Sequence, residues 1–468
     1  SIQITSELSM ITMTLAELAT ILGAECTNPD LVFTGLSKDN RRDTTGTLYI
    51  ALKGEQFDGH DFVKAAFQKG AVAALVSRPV DNNIPQVIVP DTLLALGKLA
   101  KNWRDRFSLP LVGVTGSNGK TTSKNMIAAI MTAACQGNSA AVLATQGNFN
   151  NAIGLPFTLA NLNDQQRYGV IEMGMNVPGE ISYLVDITSP QAALLTNAAE
   201  SHLQGVQDVA GVAREKGSIF ANLPANGVAV LNRDDNFYDY WRDLIGKHKS
   251  ISFSLDQAAD VTAVIQVSPS STHQLITLQT PSGHIDVNLA LLGKHNVRNA
   301  LGATAVACAI GIPLAAIKTG LENTRPEQGR ITPHMLSNGV RVIDDTYNAN
   351  PFSTHAAINT LATFPGKKIL VLADMRELGP EEIALHKLTG ERALAAGIDY
   401  LFTYGTLTAE TTKAFGKNAM HFTDRSALVT ALQPYLQSGT TVLVKGSRSM
   451  HMELILAELL PDVAVTTH

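Results

Sequence analysis

"GVTGSNGKTT", Gly113 to Thr122, decides how the rest of the chain is read. The apolar run "LPLVGVT" leads into it, and "TTSKNMIAAIMTAAC" leaves it with apolar residues at helical spacing. Strand, glycine turn, Lys, hydroxyl residue and helix together hold a polyphosphate, because backbone N–H groups and a helix N-terminus present partial positive charge. Lys120 would neutralise the β- and γ-phosphates, and Thr121 would ligate Mg²⁺. The usual loop, G-x-x-x-x-G-K-[ST], wants a glycine where Val114 stands; Gly113 comes one residue early and Gly116 lies inside the loop. A plain Gly/Asn turn would account for the glycines but not for GKTT between a strand and a helix.

Working outward, 468 residues exceed one ordinary core and imply roughly two to four domains. The composition, 45% hydrophobic and 16% charged, is that of a globular protein. A net charge of -5 without a dense Lys/Arg run speaks against an extended nucleic-acid surface. The three cysteines, Cys26, Cys135 and Cys308, are far apart and odd in number, which fits a reducing cytoplasm rather than a disulfide framework or a zinc site. The opening SIQITSELSM starts without Met and is set aside from the fold reading. "ALGATAVACAIGIPLAAI" (300–317) is long and uncharged, but Gly311 and Pro313 punctuate it as a buried helix followed by a second helix, not as a membrane span.

Before the loop, "TLYIAL" (47–52), "AVAALVS" and "PQVIVP" read as short strands, "HDFVKAAFQKG" (60–70) as a helix, and "LLALGKLAKNWRDRF" as an amphipathic helix ending near Pro110. After it, "YGVIEMG", "QAALLTN" and "GVAVLN" are buried strands of a parallel sheet with helices on both faces. "AVIQVS" and "HQLITLQTPSGHIDVNLAL" read as an antiparallel meander attached to it, and "NTRPEQGRITP" (323–333) as a linker. A third alternating unit follows, with "RVIDDTY", "KILVLAD", "DYLFTYG" and "TVLVKGS" as strands. No G-x-G-x-x-G follows any of them, so a nicotinamide or flavin site is unsupported. Glu172 and His202 each follow a strand at the carboxyl edge, where ligands bind in such sheets, and beside a phosphate loop they read as metal ligands. Lys216 alone reads as a solvated helix lysine.

With that loop, "EMG" at Glu172, "HLQGV" at His202, "KGSIF" at Lys216, "GKHNVRNA" (293–300) and "DDTYNANP" (344–351) fall in one order. In these motifs the chain, from Thr14 to Leu460, resembles the Mur ligases and their folylpolyglutamate synthase relatives. "ALKGEQFDGHDF" (51–62), "QGNFNNAIGLP" (146–156) and "LVKGSRSMHME" (443–453) are similar to members that add a dipeptide to a UDP-linked muramoyl tripeptide. A D-N-P-R motif, carried by members that add diaminopimelate or lysine, is absent. Two places differ from the resembled pattern: Ser218 stands where Glu is frequent, and Glu200 where a small residue is frequent.

The resemblance implies an α/β fold of three domains. These are a small N-terminal α/β domain for UDP (1–100), a central P-loop-type, mostly parallel sheet with helices on both faces (101–325), and a C-terminal Rossmann-like domain (326–468). It implies an ATP-dependent ligase joining D-alanyl-D-alanine to the terminal carboxylate of UDP-N-acetylmuramoyl-tripeptide through an acyl-phosphate, with Mg²⁺ or Mn²⁺. Gly116, Ser117, Asn118, Gly119, Lys120, Thr121 and Thr122 would hold ATP, with Asn296 and Asn299 at the adenine and Arg330 and Asp345 arriving on closure. Thr121, Glu172 and His202 would serve the metal, and Lys216 would be carbamylated; Lys120, His202 and Lys216 are the catalytic candidates. Asp39, Asn40, Arg41, Lys53 and Gly54 would line the UDP site, with Asn148, Asn150 and Asn151 facing the muramoyl-peptide. Tyr347, Asn348, Asn350, Lys445, Ser447 and Arg448 are dipeptide candidates. A cytoplasmic monomer acting on small molecules, with neither nucleic acid nor membrane insertion, is expected. The rivals are folylpolyglutamate synthase, another ligase of the same pathway, and a nucleotide-binding protein or small-molecule kinase using the loop alone.

Overall fold

A computed structural model describes residues 10–460 apart from 40, 42, 55, 56, 82, 199–208, 267–272 and 328. Near the N-terminus β1 (Thr12–Thr14) and β2 (Val32–Thr34) pair antiparallel around α1 (Leu15–Leu22), whose cap, Thr14 Oγ1, accepts from the Glu17 N–H at 3.1 Å. Next come β3 (Leu36–Ser37), β4 (Leu48–Ile50), α2 (Val63–Gln68), β5 (Ala73–Val76) and β6 (Gln86–Ile88); the four strands form a parallel sheet in the order β3-β4-β5-β6. The single helix expected over 60–70 is divided: a 3-10 turn, Gly59–Phe62, precedes α2 because Asp58 caps at His60, taking its N–H at 3.0 Å. The apolar face of α3 (Thr92–Arg104) buries Leu96, Leu99 and Ala100, and Trp103 Nε1 donates to Leu162 O at 3.0 Å in the next unit.

The central unit runs β7 (Leu111–Thr115), α4 (Lys120–Ala134), β8 (Val142–Ala144), α5 (Gly154–Leu159), β9 (Tyr168–Glu172), α6 (Glu180–Thr188), β10 (Ala192–Leu195), α7 (Val209–Ala221), β11 (Val228–Asn232) and α8 (Tyr238–Leu244). It continues through β12 (Lys249–Ser254), β13 (Val261–Ile265), β14 (Gln274–Thr280), β15 (Gly283–Leu289), α9 (Lys294–Ala309) and α10 (Leu314–Asn323). Among the described residues its sheet has nine strands in the order β15-β14-β13-β12-β11-β10-β7-β9-β8. The pairs from β8 through β13 are parallel, while β14 and β15 add the expected antiparallel meander. Alternate strand residues face two cores. Val112, Val114 and Leu194 meet α4, α9 and α10, whereas Ile171, Ala193 and Leu195 meet α5 to α8. The uncharged stretch 300–317 is the buried part of α9, a turn at Gly311 and the start of α10. Among the described residues no helix is long and apolar enough to cross a membrane.

The C-terminal unit comprises β16 (Thr332–Met335), β17 (Arg341–Asp345), α11 (Pro351–Ala362), β18 (Lys368–Ala373), α12 (Glu382–Ala395), β19 (Tyr400–Tyr404), α13 (Thr408–Phe415), β20 (Ala419–Phe422), α14 (Arg425–Leu432), β21 (Thr441–Lys445) and α15 (Glu453–Leu459). Among the described residues its sheet has six strands, ordered β16-β17-β21-β18-β19-β20, all parallel except the edge strand β16. Part of the segment expected to be linker is therefore strand. Helices α11, α12 and α13 cover one face; α14 and α15 cover the other. This is a Rossmann-like layering, so the molecule is α/β throughout, with three parallel-rich sheets.

Candidate active site

The stretch Gly113–Thr122 folds as the strand–loop–helix its pattern predicts, with β7 buried along its whole length and α4 starting at Lys120. Gly119 stands at φ +79°, and a Cβ there would run into Asn299 Oδ1 on α9, so backbone conformation and close approach both require glycine. The loop is braced from β10: Ser117 N–H donates to Asn197 O at 2.9 Å, and Asn118 N–H to Asn197 Oδ1 at 3.1 Å. Lys120 Nζ bends back onto Gly116 O at 2.8 Å. Burial holds its pKa below the usual lysine value, with Glu172 opposing and Arg330 adding to the effect. A bound polyphosphate would supply the anionic partner that this ammonium lacks among the described residues.

Glu172 ends β9 and is buried. Its Oε1 accepts from Asn150 Nδ2 at 2.9 Å, but its Oε2 has no hydrogen-bond partner among the described residues. A buried carboxylate oxygen left unpaired is costly unless a cation completes it. That orphaned oxygen, sharing a cavity with Thr121, fits a hard divalent cation with oxygen ligands. His202 and Glu200 lie outside the described residues. Lys124, one helical turn after Lys120, is a buried lysine that sequence reading did not single out; its Nζ donates to Thr145 O at 2.9 Å.

Lys216, expected from spacing alone to be solvated, is only 1% exposed in α7. Burial first, and then the nearby Lys120, bring its pKa down to about 7. Ser218, two residues on, turns its hydroxyl to Glu215 O at 2.5 Å. Asn296 and Asn299 are both buried on α9; Asn299 Nδ2 donates to Asn296 Oδ1 at 3.2 Å, and Ser123 Oγ donates to Asn299 Oδ1 at 3.4 Å. The asparagine pair is therefore fastened to the start of α4. His295 beside them is pushed down to about 4 by burial and by Lys445 and Arg298.

The phosphate loop, Glu172, His295, Asn296 and Asn299 line one cavity of about 620 Å³ shared by the central and C-terminal units; Lys124 and Lys216 do not line it. From the C-terminal side come Arg330, Asp345, Tyr347, Asn348, Asn350 and Lys445. Lys445 Nζ reaches Asp345 Oδ2 at 2.7 Å and Asn348 O at 2.9 Å, a buried ion pair joining the ends of β21 and β17. Burial raises the Asp345 pKa, and Lys445 opposes that rise. Asn350 caps α11 by accepting from Ser353 N–H at 2.8 Å, while its Nδ2 donates to Asn118 Oδ1 in the phosphate loop at 3.1 Å. Arg330 and Arg448 stand over the Tyr347 ring at 4.3 and 5.7 Å. Ser447 is buried and takes the Arg376 N–H at 2.7 Å.

The UDP candidates lie away from this cavity. Asp39 and Arg41 form an ion pair at 2.9 Å, Gly54 N–H donates to Phe57 O at 2.9 Å, the Lys53 backbone pairs with that of Asp58 in an isolated antiparallel bridge, and Asn40 lies outside the described residues. Lys38 stands over Phe149 and Phe157 at 5.6 and 5.8 Å, bringing this N-terminal loop to the segment bearing Asn148, Asn150 and Asn151. Asn151 Oδ1 takes the Gly154 N–H at 2.8 Å at the start of α5, whereas Asn150 turns to Glu172.

The Mur ligase middle domain model matches residues 114–307, the Mur ligase glutamate ligase domain model 329–448, and the Mur ligase family catalytic domain model 33–104. Over 454 residues the chain is 45% identical to the UDP-N-acetylmuramoyl-tripeptide--D-alanyl-D-alanine ligase of Escherichia coli K12, covering 96% of this chain and 99% of that protein. This chain belongs to the Mur ligase family. Among solved family structures, MurF from Acinetobacter baumannii is similar with a TM-score of 0.90 at 32% identity, covering 97% of this chain and 100% of that one. MurF from Thermotoga maritima, solved in complex with ADP, has a TM-score of 0.80 at 26% identity over 90% of this chain and 96% of that one. Members of the Mur ligase family are ATP-dependent amide ligases, and so is this chain.

Proposed function

We propose that the chain joins D-alanyl-D-alanine to the terminal carboxylate of UDP-N-acetylmuramoyl-tripeptide, consuming ATP and releasing ADP and phosphate. The observation that carries this reading is the shared cavity, in which the phosphate loop, the orphaned Glu172 oxygen and the C-terminal Asp345–Lys445 pair converge. A carboxylate is a poor electrophile in water, so it must be activated. A carboxylate oxygen bonds to the γ-phosphorus as the bond to the bridging oxygen breaks, leaving ADP. The dipeptide amine then attacks the acyl carbon and expels phosphate.

Lys120 and the N–H groups of residues 116–122 hold and neutralise the phosphates, since phosphoryl transfer needs positioning and charge compensation more than covalent help. Glu172, Thr121 and His202 would hold Mg²⁺, or Mn²⁺ in its place, which when bound neutralises charge between the two approaching anions. Asn296 and Asn299 offer amides to the base, and Arg330 and Asp345 complete the nucleotide site from the C-terminal side. Asp39, Asn40, Arg41, Lys53 and Gly54 receive the UDP moiety, with Asn148, Asn150 and Asn151 along the muramoyl-peptide. Tyr347, Asn348, Asn350, Lys445, Ser447 and Arg448 shape the dipeptide's approach.

A lysine whose pKa is brought down to about 7 carries a substantial neutral-amine fraction near neutral pH, the form that adds CO₂. Carbamylation of Lys216 would replace its repulsion with Lys120 by attraction. The enzyme works as a cytoplasmic monomer. The test is phosphate release with ATP, Mg²⁺, the UDP-tripeptide and the dipeptide, each omitted in turn. Turnover independent of the dipeptide would refute the proposal, as would full activity in Lys120→Ala.

A further inference from the structure

Between β4 and α2 the chain makes a narrow excursion with a buried foot and an exposed outer end. It leaves and returns through close backbone pairing. Gly59 N–H donates to Leu52 O at 2.8 Å and Gly54 N–H to Phe57 O at 2.9 Å, with the Lys53 and Asp58 backbones bridged antiparallel between them. Gly59 is required at the foot, since a Cβ there would come within 2.7 Å of the Leu52 backbone. Lys53, Gly54 and Phe57 are exposed at the outer end, and the first two are the residues assigned above to the UDP moiety. A lone two-stranded hairpin is marginally stable in water, so a contact from outside must hold it in one orientation.

His60 supplies that contact. Its side chain is only 3% exposed, and its Nε2 accepts from the Ser77 N–H, just past the end of β5, at 2.8 Å. A backbone N–H can only donate, so Nε2 is the lone-pair nitrogen and Nδ1 carries the proton. Nδ1 donates to Asp58 Oδ1 at 2.6 Å, and the same oxygen takes the His60 N–H at 3.0 Å. Arg78, next to Ser77, reaches Asp58 Oδ2 at 3.4 Å. One rigid ring therefore joins the end of β5 to the returning arm of the hairpin. From β4, Tyr49 Oη donates to Gly59 O at 3.1 Å. Burial first, and then Asp39 and Asp58, push the Tyr49 pKa up to about 12, which places the Asp39 loop and the hairpin around one phenol.

We infer that His60 is a positioning residue for the UDP-tripeptide: by fastening the hairpin to the end of β5 it holds Lys53 and Gly54 in place beside Asp39 and Arg41. The assignment rests on the UDP reading above. Asp39 and Arg41 follow β3, the hairpin follows β4 and Ser77 follows β5, three neighbouring strands of one parallel sheet. The ring spans the second and third of these strand ends. An apolar side chain would fill the space under the hairpin but would leave the Ser77 N–H and Asp58 without their directed contacts, and the hairpin free to swing on its two arms. None of Asp58, His60 and Ser77 lines the cavity that holds the phosphate loop. The effect of the ring therefore falls on capture of the UDP-tripeptide and not on phosphoryl transfer.

The test measures phosphate release in the wild type, His60→Leu and His60→Gln, varying each of the three substrates in turn. One hydrogen bond is worth about 2- to 13-fold, so His60→Leu, which loses two, should raise KM for the UDP-tripeptide by about 10- to 100-fold. Its kcat at saturation and its KM values for ATP and D-Ala-D-Ala should stay within about 2-fold of the wild type. His60→Gln, whose Oε1 can accept from the Ser77 N–H, should recover much of the loss. Should His60→Leu fail to fold, Asp58→Ala reads the same contact from a partly exposed residue, with a higher KM for the UDP-tripeptide and an unchanged KM for ATP. If the variants impair all three substrates alike, or His60→Gln is no better than His60→Leu, the ring is a packing group only; the inference is overturned and the ligase reading stands. If the wild type shows no phosphate release that depends on the UDP-tripeptide, both readings fall.

Discussion

Asn350 makes two kinds of contact, and they can be separated. Its Oδ1 caps α11 through the Ser353 N–H, and its Nδ2 reaches Asn118 in the phosphate loop. Asn350→Ser keeps a good cap and removes the amide donor; Asn350→Ala removes both. The inter-unit hydrogen bond is worth about 0.5–1.5 kcal/mol net, so Asn350→Ser should lower kcat/KM for ATP by about 2- to 13-fold while keeping the cap of α11. Asn350→Ala should show the same kinetic loss and, in addition, about 1 kcal/mol of destabilisation from the lost cap. Phosphate-release kinetics at varied ATP and chemical denaturation monitored in the C-terminal unit give the two numbers. Unchanged ATP kinetics in Asn350→Ser would refute the idea that this contact couples α11 to the nucleotide. Equal stability of the two variants would refute the cap argument.

Glu172→Gln keeps shape but removes the charge on the orphaned oxygen, and turnover should fall by about 100-fold with a higher Mg²⁺ requirement in a metal titration. Lys216 is neutral above about pH 7, because burial and Lys120 depress its pKa, so a carbamate signal from isotopically labelled CO₂ should grow as pH rises through that value. Carbon NMR of the labelled protein reads it, and a signal that falls with rising pH would contradict the assignment. Lys445→Met strands the buried Asp345 and should cost about 3–5 kcal/mol, with much of it restored by adding Asp345→Asn, as denaturant midpoints would show.

The phosphate loop and the strands around it were legible because each signal lies within a few consecutive residues. The pattern of "LVGVT", the glycines and GKTT needs no distant partner to be read. The edge strand β16 was not legible: it is short, contains Pro333, and stands where polar residues read as linker. Lys216 looked solvated because its burial comes from the packing of α7 against α6, α8 and the sheet, which a helical period does not report. Glu172 was readable as a carboxylate at a strand end, but its one satisfied and one orphaned oxygen depend on Asn150, 22 residues away. The Asn118–Asn350 contact spans 232 residues, and the buried Asp345–Lys445 pair exists only because β21 returns between β17 and β18. Those are facts of topology, invisible to spacing.

The capped start of α11 has an electrical consequence. Asn350, Phe352 and Ser353 line the same cavity as the start of α4, so two helices point their N-termini into one small space. Each end carries roughly half a positive charge, and like poles repel. The Asn350–Asn118 hydrogen bond holds the two walls together against that repulsion. A polyphosphate between the poles turns the repulsion into attraction, so the nucleotide should tighten the cleft that carries it.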